Sequence, residues 1–237
     1  MVDEEANQRS YLQAYYAEKG EERNRLWRND EVLFQVLAYD KSLTQAFGAT
    51  RVSPPTTRVL DVGCGNGSLL SLLTRLGFDP ANVAGVDLIE ERVEEAKRLH
   101  PSASFQYADA SQLPYGNGEF QVVHQSSMLV FVRDEEQARR IALEMIRVCA
   151  PGSFLIIADW RYRKPWNENY VAVSRRRIKD LFKVGQMTEI VGVHRGALVP
   201  PIGRFLSARL PSAYFLVAAL VPQLVGQVAY VLMKKAR

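Results

Sequence analysis

The chain has 237 residues, 47% hydrophobic and 24% charged, with a formal net charge of +4, the profile of an ordinary globular protein with enough length for one full α/β core and some decoration. Two cysteines, Cys64 and Cys149, exclude a disulfide framework and point to a reducing compartment. The polar, acidic start Met1-Val2-Asp3-Glu4-Glu5 does not read as a secretory signal, and the basic residues cluster locally (Arg161, Arg163, Lys164, Arg175 to Arg177) without forming a stripe for a phosphate backbone.

Residues 8–48 read as helical. Tyr11, Leu12, Tyr15 and Tyr16, then Val32, Leu33, Val36 and Leu37, recur at helical spacing. A linker at 49–57, with Pro54-Pro55, leads into the core. Strand and helix then alternate: strands at Val59–Val62, Val83–Leu88, Ala103–Tyr107 and Phe120–His124, with helices at Leu69–Leu76, Glu90–Leu99 and Glu135–Val148. Pro151-Gly152 is expected to break the chain before a fifth strand at Phe154–Ala158. A helix follows at Ser174–Phe182, capped by Ser174, and Thr188–Val199 and Val225–Leu232 close the chain as strands. This alternation predicts an α/β, doubly wound, mostly parallel sheet with helices on both faces and ligands at the carboxyl ends of its strands.

From Leu210 to Met233 no residue is charged, long enough for a membrane span. Pro222-Gln223 falls in its middle, and the β-branched alternation after it points to two elements instead: an apolar helix near Ala213–Leu220 and a final strand. A peripheral membrane contact stays open for that helix.

The most informative stretch is Asp61-Val62-Gly63-Cys64-Gly65-Asn66-Gly67, a glycine turn between an apolar strand and a helix. There a backbone can approach an anionic or polar ligand. The spacing is G-x-G-x-G, with Ser68 where the third glycine of a dinucleotide fingerprint would stand. With an acidic residue two places ahead of the first glycine, it resembles motif I of class I S-adenosylmethionine (SAM)-dependent methyltransferases. Three further sites stand in the family's order: Asp87-Leu88 at the end of the second strand, 24 positions after Gly63; Asp109-Ala110 after the third; and His124-Gln125 at the fourth. Arg147 to Ser153 resembles the family's turn before the fifth strand, and the resemblance covers roughly residues 58–160.

That resemblance implies a seven-stranded sheet, with residues 58–237 as the SAM-binding core, residues 1–57 as a helical lid, and an apolar insertion at about 200–222. It implies SAM as cofactor and S-adenosylhomocysteine as product; no metal is expected, because no His/Asp/Glu cluster has ligand-like spacing. Asp61, Gly63, Gly65, Asn66 and Gly67 would cradle the cofactor, Asp87 and Leu88 the ribose, Asp109 and Ala110 the adenine, and Gln125 the methionine end. A helix-capping role is the other reading of Asp87 and Asp109.

If the acceptor is a hydroxyl, a base is needed. His124 is the first candidate, expected to face the reaction region. Asp159 is the second, acting alone or by orienting a histidine. A packed histidine beside the cofactor is the other reading of His124. Tyr16, Arg23, Trp160, Arg161 and Tyr162 suit a sugar, a phenol or an anion, and would serve the substrate pocket or simply pack the N-terminal helices. The expected activity is methyl transfer to a small-molecule or glycan acceptor, most readily a hydroxyl of a glycan precursor or specialised metabolite, by a cytoplasmic monomer or homodimer. Nucleic acid is not expected as substrate. An NAD-dependent oxidoreductase and a non-catalytic SAM-binding partner are the alternatives.

Overall fold

Short apolar runs such as Val59-Leu60 and Val83-Ala84 need cover on both faces, which a parallel sheet flanked by helices supplies. The computed structural model describes residues 10, 11, 13, 14, 29–164, 167 and 169–236, and supplies that arrangement. In chain order the elements are α1 (Asp30–Thr50), β1 (Val59–Val62), α2 (Leu69–Arg75), β2 (Val83–Asp87), α3 (Glu90–Leu99), β3 (Ser104–Tyr107), β4 (Phe120–Ser126), α4 (Glu135–Val148), β5 (Cys149–Trp160), α5 (Arg175–Leu181), β6 (Thr188–Arg195), α6 (Pro200–Arg209), α7 (Tyr214–Leu220) and β7 (Gln227–Lys234).

The seven strands form one mixed α/β sheet in the order β3-β2-β1-β4-β5-β7-β6. β1 lies parallel to β2 and to β4, and the ladder continues parallel from β2 to β3 and from β4 to β5. The chain steps outward from β1 in one direction to β3, then restarts on the other side of β1 with β4. Right-handed crossovers in opposite directions put the two sets of helices on opposite faces and open a crevice at the carboxyl ends of β1 and β4. Every residue of β1 is buried, while edge strand β6 after its buried first residue alternates exposed and half-buried positions.

Two boundaries differ from the expectation for physical reasons. Pro151-Gly152 does not precede β5 but lies within it. The register passes from Phe120↔Cys149 to Val122↔Phe154, and this irregularity takes up the proline, which has no N–H to donate. β4 runs on past His124 to Ser126, because Gln125 and Ser126 stay in register with Ile157 and Ala158. At the carboxyl end of the chain, β6 stops at Arg195, and Leu198 makes a single antiparallel bridge to Val225.

The chain divides into two compact units, residues 43–194 with 229–237, and residues 1–42 with 195–228. The first holds nearly all of the sheet. In the second, α6 and α7 are fastened to α1 by polar groups. The Ser207 hydroxyl donates to the carbonyl of Asp30 and accepts from the N–H of Phe34, and Tyr214 Oη donates to Gln35 Oε1 at 2.7 Å while accepting from the N–H of Leu198. Among the described residues no helix is long and apolar enough to cross a membrane, and Pro222 opens a 3₁₀ turn between α7 and β7.

Gly85 marks where the sheet is tightest. A Cβ there would stand 2.7 Å from the ring of Phe105 and 2.9 Å from Cβ of Cys64. Gly85→Ala is expected to cost about 1–3 kcal/mol by overpacking. Urea unfolding measures it, and an unchanged midpoint would contradict the packing described.

Candidate functional site

β1 delivers Asp61 and Val62 to the crevice, and the chain then turns through Gly63–Gly67 into α2. The N–H groups of Gly63 and Cys64 both donate to the carbonyl of Val86, at 2.8 and 2.9 Å, so the loop is tied to β2. Gly63, Gly65 and Gly67 all have positive φ, +75°, +55° and +78°. Gly65 carries a second constraint: an added Cβ would come within 2.4 Å of the Arg92 guanidinium, which packs against the loop from α3. A side chain there would be strained and would displace Arg92. Cys64 is buried, and burial pushes its thiol far up, so it is no nucleophile.

Asp87, the last residue of β2, accepts from the N–H of Gly65 at Oδ2 (2.8 Å) and from the N–H of Ile89 at Oδ1 (3.0 Å). Burial pushes its carboxyl up, opposed by these two N–H groups and the Arg92 charge. Each oxygen has spent one lone pair on the protein and keeps one, the geometry that suits a vicinal diol. Half-buried Leu88 follows. Beyond β3, the Asp109 carboxylate accepts from the N–H of Ser111 at 2.8 Å and from its hydroxyl, closing a local turn next to half-buried Ala110.

His124 is not the last residue of the fourth strand. It lies inside β4, opposite Asp61 in the β1–β4 register, and only 1% of its surface is exposed. Nδ1 is 2.7 Å from Asp61 Oδ1. A carboxylate oxygen only accepts, so Nδ1 carries the proton and donates it. The ring centroid is 5.9 Å from that of Phe47, and Nε2 is buried without a hydrogen-bond partner. The sequence offered no sign of this pairing, since Asp61 and His124 are 63 positions apart.

Gln125 and Asp159 form a second buried cluster. Gln125 Oε1 accepts from the N–H of Met128 at 3.2 Å, and its Nε2 donates to Asp159 Oδ2 at 3.4 Å. Asp159 Oδ1 accepts from the N–H of Trp160 at 2.8 Å. Asp159 therefore orients no histidine; its partner is an amide. Its burial dominates these bonds and raises its carboxyl to about 7. Between β4 and this cluster, Ser127 has φ +52°, a left-handed conformation that non-glycine residues hold only under constraint.

Arg177, one of the three arginines that read as a basic patch, is buried. It donates to the carbonyls of Leu129 and Val132 and pairs with Glu135 at 2.9 Å, so it braces the turn after β4, while Arg175 and Arg176 are exposed. Tyr170 was also missed: it is buried against Phe131, its hydroxyl without a hydrogen-bond partner. Half-buried Trp160 ends β5; the Arg161 guanidinium lies 4.8 Å from the ring centroid of exposed Tyr162. Tyr15, Tyr16, Arg23, Trp27 and Trp166 lie outside the described residues. No group of three or more potential metal ligands occurs among those described.

The structure thus gathers Asp61, the glycine loop, Asp87, Asp109, Gln125 and Asp159 at the carboxyl ends of five adjacent parallel strands. Residues 59–152 match the family described as "Methyltransferase domain". The chain is 36% identical over 121 residues to 2-methyl-6-phytyl-1,4-hydroquinone methyltransferase of Synechocystis sp., a match taking in 49% of this chain and 36% of that protein. It is 38% identical over 125 residues to the O-methyltransferase cnsE of Penicillium expansum, over 49% of this chain and 43% of that protein. The chain therefore spans less than half the length of these curated relatives. A SAM-dependent methyltransferase from Methanosarcina mazei shares the fold, with a TM-score of 0.57 at 18% identity over 78% of this chain and 95% of that one.

The carboxyl of Asp159 is ordinary at 3.8 and stands at about 7 in the fold, so between these values the folded protein holds a proton that the unfolded chain has released. Stability should therefore fall as pH rises from about 4 to about 7, and Asp159→Asn should remove that dependence. Urea unfolding of both proteins across this window is the measurement. A stability gap that does not open in favour of the variant at the higher pH contradicts it.

Proposed function

We propose that residues 59–152, which match a family described as "Methyltransferase domain", work as a class I SAM-dependent methyltransferase and that the chain methylates a small-molecule acceptor, most readily a hydroxyl of a glycan precursor or specialised metabolite. The observation that carries this reading is the Asp87 carboxylate, hung on the N–H of Gly65 with a free lone pair on each oxygen, beside a loop of three positive-φ glycines. The methyltransferase relatives support a small acceptor, one being named for a hydroquinone and another as an O-methyltransferase.

The residues fit SAM, which when bound supplies an already activated sulfonium methyl for in-line displacement. Asp61, Gly63, Gly65, Asn66 and Gly67 would hold its amino-acid end, Asp87 and Leu88 the ribose, Asp109 and Ala110 the adenine, and Gln125 the methionine end. The protein's remaining work is orientation, exclusion of water and one proton transfer. Asp159, raised by burial to about 7, takes the acceptor's hydroxyl proton as its oxygen bonds the methyl. His124 acts through Asp61: its Nδ1–H fixes the carboxylate, making it a positioning residue. Trp160, Arg161 and Tyr162, at the end of β5 and just after it, would serve the acceptor side.

The two roles separate by experiment. His124→Leu should weaken SAM binding about tenfold, the worth of one charge-assisted hydrogen bond, and leave turnover at saturating SAM nearly unchanged. Calorimetric titration with a parallel rate measurement reads both, and intact affinity with lost turnover would make His124 the base instead. Turnover should rise with pH through about 7, and Asp159→Asn should flatten and lower the profile.

The activity itself is tested with methyl-labelled SAM in an extract of the source cells, fractionated into nucleotide-sugar, lipid, small-aromatic, nucleic-acid and protein pools. Label should enter one small-molecule or glycan pool and vanish with Asp87→Ala. Label in nucleic acid or protein, or none despite intact SAM binding, overturns the reading.

A further inference from the structure

The unit built from residues 1–42 and 195–228 presents an unusual surface. Phe205, Leu210, Phe215, Leu216, Leu220 and Val221 are all exposed, Leu216 by 59% and Leu220 by 73%. Single exposed apolar residues need no explanation, but six large ones within 17 positions do. The exposure is imposed by the packing. Tyr214 is fully buried, with its hydroxyl bonded to Gln35 and to the N–H of Leu198, so the first residue of α7 is fixed and Leu216 and Leu220, one turn apart, are held outward. On α6, buried Leu206 and Ser207 hold the inner side in the same way and leave Phe205 and Arg209 outside.

The charges within the segment that carries this surface have one sign. From Ile190 to Arg237 the sequence contains no aspartate or glutamate, and between Arg195 and Val228 the only charged side chains are Arg195, Arg204 and Arg209. On α1, Lys41 adds a cation, its Nζ 5.7 Å from the ring centroid of Phe215, and the same helix carries Asp30, Glu31 and Asp40. An apolar face with a cationic margin and no acidic residue in its segment is the complement of an anionic bilayer surface. Acyl chains receive the leucines and phenylalanines, and lipid phosphates receive the arginines. A protein interface of the same size would not call for a segment whose charges are all cationic.

We propose that α6 and α7 dock this protein on the surface of an anionic lipid bilayer, lying in the interface without crossing it. The segment is too short and too interrupted by Pro211 and Pro222 to span. The proposal stands on this unit alone and is independent of the chemistry at the sheet.

Vesicle flotation of the full chain tests it. On phosphatidylcholine vesicles containing about a third phosphatidylglycerol, the bound fraction should be at least roughly fivefold that on phosphatidylcholine alone, and raised salt should reduce it. The pair Leu216→Glu with Leu220→Glu changes only exposed side chains and should lower binding at least roughly fivefold with an unchanged unfolding midpoint. The pair Arg204→Gln with Arg209→Gln should lower binding to the anionic vesicles alone, which keeps the test decisive if the first pair unfolds. No flotation, or flotation insensitive to both pairs, overturns the proposal. So does a concentration-dependent dimer dissolved by the leucine substitutions, which would make a second copy the occupant of this face.

Discussion

The carboxyl end of the sheet depends on one buried contact, the hydrogen bond from His124 to Asp61 across the junction of β1 and β4. A carboxylate taken out of water must be compensated, and in a parallel sheet the backbone N–H groups are already committed to the ladder. The imidazole supplies the missing donor from the neighbouring strand. Because β1 and β4 meet where the chain reverses its direction of travel, the same contact holds together the two halves of the fold at the point where the crevice opens. Phe47 beside the ring keeps the pair in apolar surroundings, which strengthens it and raises the cost of removing either partner.

A second constraint follows from the glycine loop. With its glycines at positive φ, its N–H groups turn toward β2, where Val86 and Asp87 accept them. The loop and the acidic end of β2 are therefore one object, although 22 positions separate Gly65 from Asp87. Arg92 completes it by lying against Gly65 and offsetting part of the burial cost of Asp87. At the far side of the crevice, Gln125 plays the corresponding part, tying the turn after β4 to Asp159 while Arg177 braces the carbonyls of that turn. The strained Ser127 sits between these restraints, where a backbone outlier is tolerated because its neighbours are fixed.

The unit of residues 1–42 and 195–228 follows a different rule. Its interior is closed by buried hydroxyls and an amide: Ser207, Tyr214, and Gln227, whose Oε1 accepts from Ser42 and Ala197. Polar groups fix its helices with fewer apolar side chains than the sheet uses, and this leaves large hydrophobic residues outside. Its surface character is thus a consequence of how its core is made.

Composition and spacing alone determined the alternation of strands and helices through the core, the four ordered motifs, and the bounds of β1, α3 and α4, which begin and end where the pattern of apolar residues and caps places them. These features are local: a strand buried on both faces, a glycine turn and a capped helix each leave their mark within a dozen residues. Tertiary structure decided which side chain meets which. His124 reads as the last residue of its strand until β4 is seen to run on past it along β5, and Arg177 reads as a solvated charge until the carbonyls of Leu129 and Val132 are brought beneath it. Arg92 looks like one more charge on an amphipathic helix until α3 lays it on Gly65. A polar side chain's role depends on the partner that burial supplies, and partners distant in sequence meet only through strand register and helix packing.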